Sequence, residues 1–275
     1  MHKFKEIMKS SYIYLILIFT YIPLAFAGIF SFNKPTEKGY LNTVWNKFST
    51  TAWKDFFNDG RGIALINSII IAFFVSIIVI SISLVTVYGM WKQKNKVYGK
   101  VIKGVNNIPL INPDNITAIG LFLVFGLFFG TLSFSKEGIV RAIVGHSVMV
   151  LPYGITLMYP RSSKFNISLL EASQDLGYSK FRSWFKTYFV YMIPSIIFVA
   201  LVSTFFSFDD FIIMRTVSNA STLGTKLYEG TFKPWGLVVG ASLLMITLVG
   251  NFTYVLIKVF RIKKGEKNEK KQQQN

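Results

Sequence analysis

Two adjacent carboxylates are the residues of this sequence best suited to bind a charged ligand. Asp209 and Asp210 are the only neighbouring acids in the chain, and they follow a phenylalanine-rich stretch that ends at Phe208. Carboxylates beside aromatic rings can replace the water around an organic cation. Two roles stay open for the pair: contact with a cation or a docked partner protein, or a hydrated helix end whose charge balances Arg215 or Lys226.

The rest of the chain has few residues suited to catalysis. The sequence has no cysteine, which excludes disulfides, thiol catalysis and cysteine-ligated metal. It contains neither a GxxxxGK[ST] phosphate loop nor HExxH. The acids are scattered, and the Asp209–Asp210 pair has no histidine near it, whereas a membrane enzyme acting on lipid would cluster such groups. We expect no catalytic residue, metal site or cofactor in this chain, and keep a lipid enzyme as the weaker alternative.

The composition is typical of a polytopic membrane protein. Of 275 residues, 52% are apolar and 16% aromatic, and the mean hydropathy is +0.45. The formal charge of +17 is divided among segments between long apolar stretches, which indicates topology signals rather than a nucleic-acid interface. We predict an all-α fold with six transmembrane helices, at about residues 10–33, 62–91, 115–134, 141–161, 187–208 and 235–257.

Three features in these spans or next to them carry further expectations. His146 is an ionisable residue within a span, and we favour a neutral histidine that is hydrogen-bonded between helices over a functional group. Gly126 and Gly130 form a small-xxx-small pair that could seat a neighbouring helix. Pro109 and Pro113 suit the approach to the third span better than its interior.

The distribution of basic residues predicts the orientation of the chain. With six spans, 20 of the 30 Lys and Arg residues fall on the side that carries both termini. The positive-inside rule therefore places the N- and C-termini, and the segment between the fourth and fifth spans, in the cytoplasm. The stretch that ends at Ala27 is similar to a signal-peptidase site, but the apolar run is longer than a usual signal, and we expect the first helix to be retained.

A polar stretch from Glu171 to Pro194 stands out in this cytoplasmic segment. Ser168 and Glu171 have the spacing of a capping box, which predicts a helix about 12 Å long. Gly177 can end that helix in the left-handed conformation, and Ser179 can cap a second helix that enters the membrane. On local pattern alone, an ordinary cytoplasmic loop fits equally well.

The spacing of Glu171-Ala172 and Gly177 resembles the EAA signature of permease subunits in binding-protein-dependent ABC importers. Ser173 stands where a second alanine is usual, and Val190 where proline is frequent. The resemblance implies that the short helix is a coupling helix, with Glu171, Ala172, Asp175, Leu176 and Gly177 facing an ATPase subunit.

This resemblance also implies the partners of the chain and its division into regions. ATPase subunits that bind ATP and Mg²⁺, a second permease subunit and an extracytoplasmic substrate-binding protein are expected in the plasma membrane system. The importer core would span residues 60–260. Residues 1–59 would add a helix and an interfacial loop, and residues 261–275 a disordered basic tail.

Four segments are most similar to spermidine/putrescine permeases: Gly145-His146, residues 171–177, residues 208–211 and Thr225-Lys226-Leu227-Tyr228. A polyamine path would use Asp209, Asp210 and the ring of Phe208. An importer of another solute remains the nearest alternative, and a channel is disfavoured because it would leave the cytoplasmic helix without a task.

Overall fold

The computed structural model describes residues 2–93, 95–112, 114–129, 138–229 and 232–272. Over these ranges the chain is helical and carries no regular strand; Asn33 and Phe48 form an isolated bridge. The α-helices are α1 (His2–Phe30), α2 (Thr51–Lys54), α3 (Arg61–Lys92), α4 (Lys96–Ile111), α5 (Asp114–Phe129), α6 (Gly138–Ser162), α7 (Ser168–Asp175), α8 (Lys180–Ser183), α9 (Val190–Asp209), α10 (Ile212–Val217), α11 (Leu223–Tyr228) and α12 (Pro234–Gln272).

The described ranges contain four helices that are long and apolar enough to cross a membrane. They are Arg61–Lys92, Gly138–Ser162, Lys180–Asp209 and Pro234–Val259; a bent pair, Val97–Ile111 and Asp114–Phe128, gives a fifth if it counts as one span. The apolar part of α1, Leu15–Phe30, is shorter. An all-helical membrane chain is therefore confirmed, whereas the count of six spans stays a prediction.

The third predicted span differs most from the structure. The lysine-rich stretch before it forms helix α4, because lysine is a good helix former and Asn95 accepts hydrogen bonds from the amides of Val97 and Tyr98 at its start. Pro109 lies inside α4 and not ahead of a helix. A bend of 104° separates α4 from α5. Pro113 and residues 130–134 lie outside the described residues.

Residues Met1–Asn58 and Gly230–Asn275 form one compact unit. In it α1 packs on α12, and the loop after α1 is held by ring contacts: Phe32 lies 5.6 Å from Phe48 and 5.2 Å from Trp53 between ring centroids. Helix α12 continues to Gln272, where a disordered tail was predicted from residue 261; the Lys, Glu and Gln residues of this stretch all favour helix.

Residues Asp59–Glu229 form the other unit, and it contains all the predicted site residues. Helices α3, α6 and α9 pack against one another, and α10 packs on α5 and α6. Gly154 lets α6 approach α3 closely, since a Cβ there would lie 2.7 Å from Val79 Cγ1. The fully buried core side chains of these three helices include Ile71, Val75, Val79, Val87, Ala142, Val150, Met158 and Met192.

Candidate functional site

Helix α7 is a short helix with one buried face and one exposed face. Leu170 and Ser173 are buried against the rest of the unit. The exposed side and the two residues after the helix carry the residues that the sequence predicted for coupling, namely Glu171, Ala172, Asp175, Leu176 and Gly177. Leu176 is 80% exposed, so a large apolar side chain is accessible for contact beside these acids. The arrangement can present a mixed acidic and apolar surface to another protein.

The buried position of Ser173 explains how serine replaces the usual alanine. Its side chain is small enough for the packed face, and its hydroxyl donates to the carbonyl of Leu170 at 2.8 Å. The polar atom is thereby satisfied within the helix, and burying it carries little cost.

The predicted capping box at the start of α7 is wrong. Ile167 precedes the helix and Ser168 is its first residue, without a side-chain cap. Asn166 takes this role, because its Oδ1 accepts from the Ser168 amide at 3.0 Å. A polar side chain does accept a hydrogen bond at the start of the helix, as predicted, but it belongs to Asn166, two positions before Ser168.

Gly177 ends α7 as the sequence predicted. Its φ of +85° lies in the left-handed region, its amide donates to Gln174 O and the Tyr178 amide donates to Ser173 O. These two bonds form a Schellman motif, which satisfies carbonyls at the helix end. Ser179 then accepts from the Arg182 amide and caps α8, which also confirms the second predicted cap.

The carboxylates Asp209 and Asp210 lie at the far end of α9, in different environments. Asp209 is exposed, and the adjacent Phe208 is partly buried. The Asp210 side chain is only 7% exposed, and its Oδ2 lies 3.1 Å from Nε2 of His146. This approach is close enough for an ionic contact, although its angle lies outside hydrogen-bond geometry. The expectation that no histidine lies near the pair is wrong. His146 lies 64 residues before Asp210 in the sequence, but the fold brings the two side chains together.

Asp210 also caps the next helix. Its carboxylate accepts from the amides of Ile213 and Met214 at the start of α10. The other ring nitrogen of His146, Nδ1, lies 2.9 Å from Ser207 Oγ. The predicted hydrogen bond of His146 between helices is therefore present, and it joins α6 to α9.

Ser207, His146 and Asp210 have the composition of a hydrolytic triad but not its arrangement. In such triads the serine contacts Nε2 and the aspartate contacts Nδ1, whereas here the two contacts are exchanged. All three side chains are also buried, so a substrate has no route to the hydroxyl. Across the described ranges, no group of three or more His, Asp or Glu residues could hold a metal ion.

The segment that begins at Asp210 is hydrogen-bonded to the helices around it. It comprises α10, a turn and α11. Thr222 caps α11 and forms a capping box with Thr225. Three hydrogen bonds tie it to other elements: Asn67 Nδ2 to Ser221 O at 2.9 Å, Leu223 N to Ser68 Oγ at 2.9 Å, and Ser218 Oγ to Gly138 O at 2.6 Å. We call residues 210–228 the end segment.

The two predicted sets of site residues lie at opposite ends of α9. Between Gly177 and Asp209 the chain forms α8, a π-helical turn (Trp184–Phe189) and α9. The 20 residues of α9 alone span about 30 Å, which matches the hydrocarbon thickness of a membrane. The structure therefore brings together the residues within each set and keeps the two sets apart.

Comparison with known proteins decides the family. No family model matches the sequence. The spermidine/putrescine transport system permease protein PotC homolog of Mycoplasma genitalium is 32% identical over 273 residues, which cover 96% of this chain and 95% of the relative. The chain belongs to the PotC family of transport permeases. The PotC homolog of Mycoplasma pneumoniae is 30% identical over 278 residues, and PotC of Haemophilus influenzae is 26% identical over 219 residues.

The fold of this PotC-family chain is also found in a solved transporter. A chain in the crystal structure of a bacterial ABC transporter involved in the import of the acidic polysaccharide alginate aligns with a TM-score of 0.61 at 12% identity. The alignment covers 93% of the PotC-family chain and 96% of the other. The resemblance to ABC importer permeases found in the sequence is confirmed, and the relatives are transport subunits rather than enzymes.

Proposed function

We propose that this chain is a membrane-spanning permease subunit of an ATP-driven importer for polyamines of the spermidine and putrescine class. The proposal rests on the similarity to PotC homologues, which are 30–32% identical to this chain over nearly its full length. In the proposed complex, this chain and a second permease subunit form the translocation path, and an extracytoplasmic binding protein delivers the solute. Two ATPase copies hold ATP and Mg²⁺, and this chain holds no cofactor of its own.

The exposed face of α7 is the proposed contact with the ATPase. Glu171 and Asp175 offer carboxylates, and Leu176 offers an apolar side chain that is otherwise left in water. ATP can drive the permease between two states only if the ATPase binds one of them better. The α7 surface must therefore sit differently on the ATPase in the two states, and the fixed bend at Gly177 transfers that difference to α8 and α9.

Asp209 is the proposed contact for the cation or its binding protein. Its carboxylate is exposed and lies at the end of α9 opposite to α7, and the positive-inside rule predicts that this end lies outside the cytoplasm. An exposed carboxylate binds an ammonium group loosely enough to release it, as transport requires. Phe208 beside it can add a ring face. Asp210 is less suited to this role because it already contacts His146 and caps α10.

Affinity purification of the full chain from native membrane in gentle detergent tests the class of protein. We expect an ATPase, a second permease and a binding protein to purify with it, and we expect the binding protein to bind spermidine or putrescine in calorimetric titration. A complete complex whose binding protein ignores both polyamines and binds another solute would contradict the substrate. Reproducible recovery of the chain alone would contradict the importer and favour the enzyme or channel alternatives.

A further inference from the structure

A chain of two buried hydroxyls joins three helices close to α7. Tyr188 Oη lies 2.7 Å from Ser162 Oγ, and Ser162 Oγ donates to the Val87 carbonyl at 3.0 Å. Because the single proton of Ser162 is used on that carbonyl, Tyr188 must be the donor to Ser162. Both side chains are fully buried. The hydrogen bonds therefore run from the π-helical turn through α6 to α3.

This hydroxyl chain lies where the two ends of the α7 region converge. Phe165 precedes α7 in the sequence and Tyr188 follows it, yet their ring centroids lie 5.1 Å apart. Both rings also pack on Trp91 at the end of α3, at 5.3 Å and 6.1 Å. The Trp91 indole donates to the Phe165 carbonyl at 3.0 Å. The segments on both sides of α7 are thus fixed to one point of the helix bundle.

The backbone at Tyr188 is also unusual. Residues Trp184–Phe189 form a π-helical turn between α8 and α9. Such turns are rare and occur frequently at functional sites. A displacement of α7 that rotates this turn would separate Tyr188 from Ser162, and a buried hydroxyl without a partner is costly. The turn, α6 and α3 are therefore expected to move together.

We propose that Tyr188 is a positioning residue for coupled transport, whose hydroxyl, through Ser162, transmits displacement of α7 to α6 and α3. This inference rests on the proposed function, because it assumes that an ATPase moves α7. The ring of Tyr188 supplies packing in either case. The specific claim concerns its hydroxyl, which reaches a third helix.

The test uses Tyr188→Phe, which removes the hydroxyl and keeps the ring. Ser162 can still donate to Val87, so no buried donor loses its partner and the variant should fold. The reporter is the substitution Arg215→Cys on the exposed side of α10. Because the chain has no cysteine of its own, this thiol is the only one in the chain that can react. In the complex with its ATPase, reaction of this reporter with a membrane-impermeant maleimide is measured with and without ATP and vanadate. We expect the ATP-dependent change in labelling rate to fall about fivefold in Tyr188→Phe, the factor that corresponds to one hydrogen bond.

Tyr191→Phe is the matched control. The Tyr191 hydroxyl donates to the carbonyl of Arg161 in α6 at 3.3 Å, and the hydrogen bonds end there without reaching α3. We expect this variant to keep the wild-type labelling response. Ser162→Ala should reproduce the loss, and the double variant Tyr188→Phe with Ser162→Ala should be no worse than either single change, because both cut one path.

The outcomes separate this inference from the proposed function. The labelling response is measured without transported solute, so a wrong polyamine assignment does not affect the comparison of the variants. A wild-type complex that does not respond to ATP contradicts the importer function itself. A normal response in Tyr188→Phe, or an equal loss in Tyr191→Phe, contradicts only the role assigned to the Tyr188 hydroxyl.

Discussion

At the scale of single residues, the neighbours Asp209 and Asp210 lie in different environments, for which we propose separate roles. The Asp210 carboxylate is held by His146 and by two amides of α10, whereas Asp209 points its charge to the exterior of the unit. One carboxylate therefore fixes the end segment, and the other is free to meet a ligand. A buried charge that loses its partner destabilises the fold far more than an exposed one.

Substitution of each aspartate should separate these tasks. Asp209→Asn is expected to raise the polyamine concentration for half-maximal uptake about tenfold, the effect of one lost charged contact, with an unchanged thermal midpoint in detergent. Asp210→Ala is expected to destabilise the chain by about 2 kcal/mol, because α10 loses its cap and His146 its partner. Radiolabelled uptake and thermal unfolding measure the two effects. Equal rises in half-maximal concentration with unaltered stability in both variants would refute the division of roles.

At the scale of elements, the bend at Gly177 connects α7 to the membrane helix that follows. The space around a Cβ at this position is open, with no atom within 4 Å. A substitution therefore acts through the positive φ alone and not through a clash.

Gly177→Val should abolish transport while the chain still inserts into the membrane. A β-branched residue in the left-handed region costs at least about 1–2 kcal/mol, so the bend between α7 and α8 would change. Gly177→Asn is the control, because asparagine tolerates this conformation. Uptake is compared at equal membrane abundance by immunoblot. Normal uptake by the valine variant would exclude the coupling role of the bend.

The crossing of α3 and α6 also depends on a glycine, Gly154, but the reason here is lack of space and not a positive φ. A side chain there would overlap Val79, so Gly154→Leu should destabilise the unit by about 1–3 kcal/mol. Gly126 in α5 has no atom within 4 Å of a Cβ, and Gly126→Leu should leave the stability of the purified chain unchanged. Thermal unfolding of both variants in one detergent makes the comparison. A larger loss at Gly126 would contradict this account of the packing.

The sequence predicted the local features of these elements better than the distant contacts. Gly177 and Ser179 were identified because a helix cap depends on residues within one or two turns. Helix α4 was missed because its lysines were interpreted only as topology signals. The contact between His146 and Asp210, and the hydroxyl chain from Tyr188 to Val87, join residues far apart in sequence, and no local pattern encodes them.

At the scale of the whole molecule, the distribution of charge predicts the orientation in the membrane. The two sets of site residues lie at opposite ends of α9, so the positive-inside rule assigns them to opposite sides. We predict that Ser163→Cys is labelled by an impermeant maleimide only after the membrane is opened, whereas Asn219→Cys is labelled in intact cells. Both positions are exposed, and the chain has no cysteine of its own. The opposite pattern would invert the topology and remove α7 from the reach of an ATPase.

The ties between α3 and the end segment also affect the synthesis of the protein. Asn67 and Ser68 lie near the start of α3, and their partners Ser221 and Leu223 follow about 150 residues later. At ribosomal rates of 5–20 residues per second, these polar side chains are without their partners for about 8–30 seconds. A nascent chain that stops before residue 221 would expose them within the bilayer, and membrane quality-control proteases could recognise incomplete chains by this defect.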